Sequence, residues 1–527
     1  MLDYLAATIL SGSFFVRKVV TGRKSVSDGD SPGLTHFYDK IGVNMDKLKN
    51  LEPKSVFRFF EEISAVPRGS GNREGISSYL VKFAKDRGLE YIRDEYDNCI
   101  IKKPAQGGSL SRDAVIIQGH TDMVTVSAPG KKKDFQKEGI DLLIDGDYLY
   151  ADGTTLGADD GVAVCFALAV LDDKEMVHPP IEAVFTSDEE IGLIGANKLD
   201  TSVLSGKIFL NIDSEDDGIF FAGCAGGCTC TIKDSYQPEE AIGRLLTLKV
   251  ADLTGGHSGM EIDKRRANAN KILATAVYEL AKRFDDLYLL SFDGGEKDNA
   301  IATMAEAKLI YSGEDLQDVI GVYNALSEEL LSAYKATDPE ALCLANAAEK
   351  ISKAQVLPKD KAVSILKLLA DIDDGVIAMS DQLEDVVETS SNTGITRINE
   401  TSCSITILVR SLITEKITAQ TAKISALAGD GFEVELSGIY SAWSYEPVSP
   451  ARDILMEEYR RVTGKEPKQM VIHAGLECGV FAEKMPGTDF VSFGPQADDI
   501  HTFKERLSIS STADYWEILK NTLKRLA

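Results

Sequence analysis

Three short apolar runs constrain the fold of this chain most strongly, because polar or acidic residues follow each of them at once. They are DAVIIQGH at 113–120, IEAVFTSDEE at 181–190 and SGKIFLNIDSE at 205–215, and the helix-like segment GVAVCFALAVL at 161–171 lies between the first two. Strands that are apolar on both faces are typical of a largely parallel sheet covered by helices. The first part of the chain is therefore predicted to be an α/β domain with a mixed, mostly parallel sheet. Ligands of such sheets bind at the carboxyl ends of the strands.

A second pattern begins near residue 222. RLLTLKVADL at 244–253 and SCSITILVRSL at 402–412 alternate apolar with polar residues, and ANANKILATAVYELAKRF at 267–284 has an apolar side at helical spacing. Alternation indicates strands with one exposed face. We therefore predict an α+β domain inserted into the sheet domain. The expected boundaries are 1–36 for a disordered N-terminal extension, 37–222 and 424–527 for the two parts of the sheet domain, and 223–423 for the insertion.

Composition narrows the class of protein. The 527 residues exceed one ordinary hydrophobic core, and a net charge of −26 argues against nucleic acid or an anionic membrane surface as a partner. Eight cysteines are scattered through a chain without secretory features, which predicts a reducing compartment and a cytoplasmic location. The cluster CAGGCTC at 224–230 lacks a second cysteine pair or a nearby histidine, so buried cysteines on a strand are the favoured interpretation.

Metal-capable residues collect where the predicted strands end. His120 closes one run with Asp122 two residues on, GADDG at 157–161 opens a helix, the acids of TSDEE close another run, and Asp213 and His501 follow two more. Crowded carboxylates raise one another's pKa unless a cation lies among them. Two imidazoles and three carboxylates suit two ions of the Zn²⁺ class that share a carboxylate.

Each of these features has an alternative interpretation when it is taken alone. His120 could be a core histidine, GADDG a helix N-cap, and the DEE run a solvated charge cluster. Their joint placement at strand ends favours chemistry.

The chain also resembles a known family. GHTDMV, DGTTLGADDGVAV, TSDEEIGLIGA, NIDSED, GGHSGMEI and HAGLECGVF are similar, in this order, to the motifs of the aminoacyl-histidine (Xaa-His) dipeptidases. These enzymes belong to a clan of dinuclear zinc peptidases and deacylases that includes carnosinases and aminoacylases. The resemblance covers about residue 50 to the C-terminus. It implies that the sheet domain is catalytic and that the insertion is a lid and dimerisation domain.

The resemblance implies a site with two Zn²⁺ ions per chain, with Co²⁺ or Mn²⁺ as possible substitutes. His120 and Asp213 would bind one ion, Glu190 and His501 the other, and Asp159 would bridge them.

Two further acids would act beside the metals. Asp122 would support His120, which steadies the ring and the ligand geometry, and Glu189 would be the general base.

The insertion would supply substrate contacts by the same resemblance. His257 would act as an oxyanion-side donor, in related enzymes often across a dimer interface. Asn299 and Arg410 would hold the substrate backbone and its C-terminal carboxylate. Gly475 would offer its backbone groups to the substrate. Roles in a loop, a turn or a surface salt bridge are the alternatives. His473 is interpreted as structural.

The predicted function is a cytoplasmic, homodimeric zinc dipeptidase that cleaves unblocked dipeptides of the Xaa-His type, including β-alanyl-histidine. Small peptides would be its partners, and no nucleic acid or membrane is expected. The alternatives are a tripeptide-cleaving aminopeptidase, an N-acyl-amino-acid deacylase, or a catalytically silent metal-binding scaffold.

Overall fold

The computed structural model describes residues 47–107 and 113–527, so the predicted extension at 1–36 lies outside the described residues. The chain divides into two compact units. Unit one contains the described residues through Ile219 together with Pro450–Pro467 and Val491–Ala527. Unit two contains Phe220–Ser449 and Lys468–Phe490. The predicted insertion at 223–423 lies within the range Phe220–Ser449 of unit two. Its exact boundaries stay a prediction.

Unit one is built on a mixed sheet. The spatial order of its strands is Glu90–Arg93, Cys99–Lys103, Ile181–Thr186, Val115–His120 and Ile208–Asn211. The strand Asp489–Ser492 is next in this order, and only its last two residues belong to unit one. The first three strands pair antiparallel, whereas Val115–His120 is parallel to both of its neighbours. The α/β class with a mixed sheet is therefore confirmed, with the parallel strands at the centre and antiparallel strands at one edge.

Burial explains why the central strands read as continuous apolar runs. Every residue of Val115–His120 and of Ile181–Thr186 is buried. The helix Ala158–Asp172 is apolar on nearly all sides and packs between the helix Lys54–Ser64 and the strand Val115–His120. The remaining helices of the unit are Glu74–Arg87, Ile194–Lys198, Pro450–Thr463 and Ile509–Leu526. A smaller sheet contains Leu142–Asp145, Tyr148–Ala151, Ala497–Asp498 and Arg506–Ser508.

The acids that were expected to end two strands lie in the loops that follow. The strands end at Thr186 and Asn211, so Glu189, Glu190 and Asp213 come after them. The chain turns sharply after Thr186, because Asp188 adopts a φ of 51°. Backbone hydrogen bonds close this turn, because the N–H groups of Gly195 and Ile194 donate to the carbonyls of Ser187 and Asp188.

Unit two contains a nine-stranded sheet in which every pairing is antiparallel. The order of strands is Leu342–Val356, Glu239–Ala251, Ala305–Tyr311, Leu287–Gly294, Val387–Ile398, Ser402–Ser411, Gly226–Ser235 and Glu433–Tyr440, with Gly375–Met379 paired to Val387–Ile398. The helices of this unit are Ala269–Arg283, Leu316–Ser332, Lys359–Asp371, Thr414–Ala428 and Glu477–Lys484. The predicted α+β character is confirmed.

Short strands complete unit two. Gly256–His257 pairs with Ala300–Ile301, and Ile219–Cys224 lies beside Lys468–Ile472. The interpretation of CAGGCTC as buried cysteines on strands is confirmed, because Cys224, Cys228 and Cys230 are all buried and lie in two strands.

Candidate functional site

The carboxyl ends of three parallel strands meet at one edge of the unit-one sheet. His120 lies opposite Thr186, and Gln118 lies opposite Asn211 in the neighbouring strand. The loops that follow these strands therefore leave the sheet side by side. The two acids Glu189 and Glu190 belong to one of these loops and Asp213 to another, so strand register alone brings them near His120.

Asp159 joins the two histidines. Its Oδ1 lies 2.9 Å from His120 Nε2, and its Oδ2 lies 3.0 Å from His501 Nε2. His501 Nε2 is also 3.1 Å from Glu190 Oε1, and His120 Nε2 is 3.6 Å from Asp213 Oδ1. The five residues predicted as metal ligands thus lie together, with one carboxylate between two imidazoles.

The electrostatics of this cluster favour cations. The carboxylates of Asp159 and Glu190, which accept hydrogen bonds from the ring, raise the pKa of His501 to about 11. Burial disfavours the charged ring of His120, yet the carboxylates of Asp122, Asp159 and Asp213 raise its pKa well above its usual value. Neutral imidazoles and ionised carboxylates are the forms that bind Zn²⁺, so a metal would replace the proton that each ring takes up here. The donor set therefore fits divalent metals of the zinc class.

The carboxylate of Asp122 accepts several hydrogen bonds close to His120. Its Oδ1 accepts the backbone N–H of Glu189 at 2.9 Å, and its Oδ2 accepts the hydroxyl of Ser70 at 2.8 Å. The ring nitrogen Nδ1 of His120 lies 3.6 Å from the same carboxylate. Burial opposes ionisation of Asp122, but contacts with His120 and Ser70 lower its pKa. One anionic side chain thus touches both a predicted ligand and the backbone of the predicted base.

The three consecutive acids occupy different environments. Asp188 turns away from the histidines, because its carboxylate accepts the N–H of Gly71 at 2.7 Å and lies 3.3 Å from Arg73 Nη1. Glu190 contacts His501, and burial together with Asp159 raises its pKa. Glu189, which stands between these two residues in the sequence, is partly buried. The charge run therefore consists of one ion-paired acid, one acid at the histidine cluster, and one partly buried acid between them in the sequence.

Two buried charged residues of this region were missed by the sequence analysis. Glu505 accepts backbone N–H groups of the segment that begins the helix Ala158–Asp172, and Arg68 donates to carbonyls of two loops. Burial raises the pKa of Glu505 and lowers that of Arg68. Glu505 stands in an unremarkable charged stretch, and its only signal is its closeness in sequence to His501.

Asp160 and Glu215 also border the cluster. Asp160 is buried and accepts the backbone N–H of His120 at 3.1 Å, while the carboxylate of Glu215 lies near those of Asp159 and Asp213. Burial raises the pKa of both acids well above the usual range. The signal for each was adjacency to a predicted ligand in GADDG and in NIDSED.

The four predicted substrate-binding residues all lie in unit two. Nδ1 of His257 accepts the N–H groups of Gly259 and Met260 at 3.2 and 3.0 Å, so in the neutral ring Nε2 carries the proton and can donate it. Burial and Arg410 lower the pKa of His257, which favours that neutral form. Asn299 is exposed, and its backbone carbonyl accepts the N–H of Ser258.

Arg410 is almost completely buried, with 6% of its surface exposed. Its Nη1 donates to Tyr440 Oη at 2.7 Å, whereas Nε has no hydrogen-bond partner among the described residues. A buried guanidinium without a carboxylate partner is suited to an anionic ligand. Gly475 packs on the Tyr440 ring so closely that a Cβ would come 2.7 Å from Cε2.

His473 is buried near the same arginine. Its Nε2 lies 2.8 Å from Ser390 Oγ, and burial together with Arg410 lowers its pKa to about 3. A ring held neutral by its surroundings agrees with the structural interpretation given to His473.

None of the helices in the described part of the chain has the length and apolarity to cross a membrane. A family model described as peptidase family M20/M25/M40 matches residues 116–525. The cytosol non-specific dipeptidase of Escherichia coli (strain K12) is 35% identical over 487 residues, which cover 92% of this chain and 99% of that protein.

Solved structures agree with this match. The aminoacylhistidine dipeptidase from Vibrio alginolyticus is 34% identical and superposes with a TM-score of 0.82, covering 93% of this chain and 99% of that one. The aminopeptidase PepT from Bacillus cereus shares the fold alone, at 18% identity and a TM-score of 0.52 over 90% of this chain and 99% of that one. The resemblance to the aminoacyl-histidine dipeptidases is thus confirmed, and the chain belongs to peptidase family M20/M25/M40.

Proposed function

We propose that the chain is a dipeptidase that uses two Zn²⁺ ions to hydrolyse unblocked dipeptides, including those with a C-terminal histidine such as β-alanyl-histidine. The observation that carries this proposal is the pair of contacts from His120 Nε2 and His501 Nε2 to the two oxygens of Asp159, at 2.9 and 3.0 Å. Each oxygen of one carboxylate faces a different imidazole, which is the arrangement needed for a bridging ligand.

His120 and Asp213 would hold one ion, and Glu190 and His501 the other, with Asp159 between them. Two such ions supply Lewis-acid polarisation of the scissile carbonyl and a lowered pKa for the attacking water. Asp122 would keep the His120 ring in orientation, since its carboxylate lies 3.6 Å from Nδ1.

Glu189 would move the proton. Its backbone is fixed by the 2.9 Å hydrogen bond to Asp122, while Glu190 beside it is engaged with His501. A carboxylate that binds no metal but stands next to the ligands can take the proton of the attacking water and return it to the leaving amine. Glu189 would thus transfer the proton, and Glu190 would bind metal.

Unit two would recognise the substrate. Arg410, whose Nε has no hydrogen-bond partner in the described part of the chain, would bind the C-terminal carboxylate of a dipeptide. His257 would donate its Nε2 proton to the carbonyl oxygen. Asn299 and the backbone at Gly475 would hold the peptide. We also propose that the protein acts as a homodimer in the cytoplasm.

The test is a substrate panel with zinc-loaded protein. Dipeptides with and without C-terminal histidine, tripeptides, and N-acyl amino acids are assayed while bound metal is measured. The proposal expects cleavage of dipeptides, with weak activity on tripeptides and acylated amino acids. Preferred tripeptide or acyl-amino-acid cleavage would favour the corresponding alternative of the same clan, and metal binding without any cleavage would favour a silent scaffold.

A further inference from the structure

A buried carboxylate closes the segment that carries Asp159. Glu505 Oε2 accepts the N–H groups of Leu156 and Gly157 at 2.7 and 3.0 Å, and Oε1 accepts those of Ala158 and Asp159 at 2.7 and 3.4 Å. Four consecutive amides thus converge on one side chain, which is only 3% exposed. Free amides at the start of a helix favour such an anion.

A buried arginine holds the opposite side of the same segment. Arg68 Nη2 donates to the carbonyl of Gly157 at 2.5 Å, while Nη1 donates to the carbonyls of Thr121 and Asp122 at 3.1 and 3.3 Å. The guanidinium therefore ties the Asp159 segment to the loop that follows His120. Its planar fork is suited to two carbonyl groups at fixed positions.

The glycines of GADDG fit this arrangement closely. A Cβ at Gly157 would come 2.5 Å from Arg68 Nη2, and a Cβ at Gly161 would come 2.6 Å from the same atom. Gly157 also has a φ of 74°, which side chains other than glycine rarely adopt. The motif is therefore shaped to let Arg68 reach the backbone as well as to present Asp159.

We infer that Glu505 is a positioning residue for the metal centre, and that with Arg68 it fixes the backbone of Asp159 relative to His120. The inference rests on the proposed function, because it assigns Asp159 as the shared ligand. Residues that orient metal ligands change metal affinity about 10- to 100-fold when they are replaced. Glu505 should therefore set the affinity of the pair of metals without touching either metal or substrate.

The experiment compares Glu505→Gln with wild type in the full-length protein. A glutamine keeps the size but turns one acceptor into an N–H₂ group that faces backbone N–H donors. Zn²⁺ affinity is measured by competition with a chelator, and the Co²⁺-loaded protein is examined by visible absorption. We expect the affinity for at least one ion to fall by about 10- to 100-fold and the Co²⁺ spectrum to change.

Glu182→Gln is the matched control. Glu182 is also 3% exposed and accepts the N–H groups of Ser205 and Gly206 at 2.8 and 3.0 Å. It is the second residue of the strand Ile181–Thr186, and only the opposite end of that strand leads to the site. The Glu182→Gln variant should be less stable than wild type but should keep the wild-type metal affinity and Co²⁺ spectrum. A purely structural role for Glu505 would give the same result as this control.

Arg68→Lys tests the same inference if Glu505→Gln does not fold. A lysine keeps the charge but cannot reach both loops with a planar fork, so the Co²⁺ spectrum should again change. Wild-type affinity and spectrum in the soluble variants would overturn the inference while the proposed function stands. If wild type itself binds no metal, the proposed function fails first.

Discussion

Gly157→Ala is predicted to destabilise unit one and to weaken metal binding together. The backbone at Gly157 has φ 74° and ψ 35°, and a Cβ there would come 2.5 Å from Arg68 Nη2 and 2.7 Å from Met123 Sδ. A left-handed conformation costs a residue other than glycine about 1 to 2 kcal/mol, and overpacking adds about 1 to 3 kcal/mol. The free energy of unfolding should therefore fall by about 2 to 5 kcal/mol.

Gly88→Ala separates the two contributions. Gly88 ends the helix Glu74–Arg87 with φ 65° and ψ 25°, nearly the conformation of Gly157. Apart from its chain neighbours, no heavy atom of the described residues lies within 4 Å of its Cβ position. This control should lose only the conformational part, about 1 to 2 kcal/mol, and keep its metal affinity.

Denaturant unfolding of chelator-treated protein measures both losses. The chain has two tryptophans, so a Trp443→Phe background leaves Trp516 as a reporter within unit one. Metal affinity is determined on the same variants. Equal losses of stability in Gly157→Ala and Gly88→Ala, or unchanged metal affinity in Gly157→Ala, would refute the proposed fit between Arg68 and the glycine.

Three further predictions concern single side chains. Arg410→Lys should raise KM for dipeptides about 10- to 100-fold in steady-state assays, because it loses a charge-assisted hydrogen bond of about 1.5 to 3 kcal/mol, and an unchanged KM would exclude Arg410 as the carboxylate partner. His501→Ala should reduce the bound metal from about two ions to about one per chain by elemental analysis, and retention of both ions would remove His501 from the ligand set. The pKa of His473 is lowered to about 3 by burial and Arg410, so the unfolded chain takes up a proton that the folded chain does not between about pH 3 and 6.5. The free energy of unfolding of unit two should therefore fall by up to about 1.4 kcal/mol per pH unit as the pH drops through this window. His473→Gln should show a smaller slope, and the unfolding of both proteins can be followed by Trp443 fluorescence. Identical slopes in the two proteins would contradict this prediction.

Much of the fold could be predicted from the sequence because burial leaves a direct trace in it. Strands such as Val115–His120 are apolar throughout because they are covered on both faces, and the edge of the sheet that carries ligands follows from their direction. The strand ends were less predictable. The turn at Asp188 depends on a backbone conformation that the polar run TSDEE does not specify.

The candidate site could be predicted only in part, for a similar reason. Histidine is rare in this chain, and Asp159 belongs to the pair of acids in GADDG, so a common metal site for His120, Asp159 and His501 could be inferred. The structure brings their side chains together. Arg68 and Glu505 act on backbone groups instead. Any loop offers such groups, so apart from the closeness of Glu505 to His501 the sequence does not indicate which charged residues bind them. The folded chain reveals that both are buried.

The central claim is that Glu189 transfers the proton in a hydrolase whose metals are held by its neighbours. Glu189→Gln is therefore compared with wild type and with the control variant Asp188→Asn. In the wild-type chain the Asp188 carboxylate lies 3.3 Å from Arg73 Nη1. Bound zinc and kcat for a dipeptide are measured on the same preparations. We expect Glu189→Gln to keep about two ions per chain and to lose about 10²- to 10⁴-fold in kcat, while Asp188→Asn stays near wild type. A Glu189→Gln protein that retains both zinc and wild-type kcat would contradict the central claim.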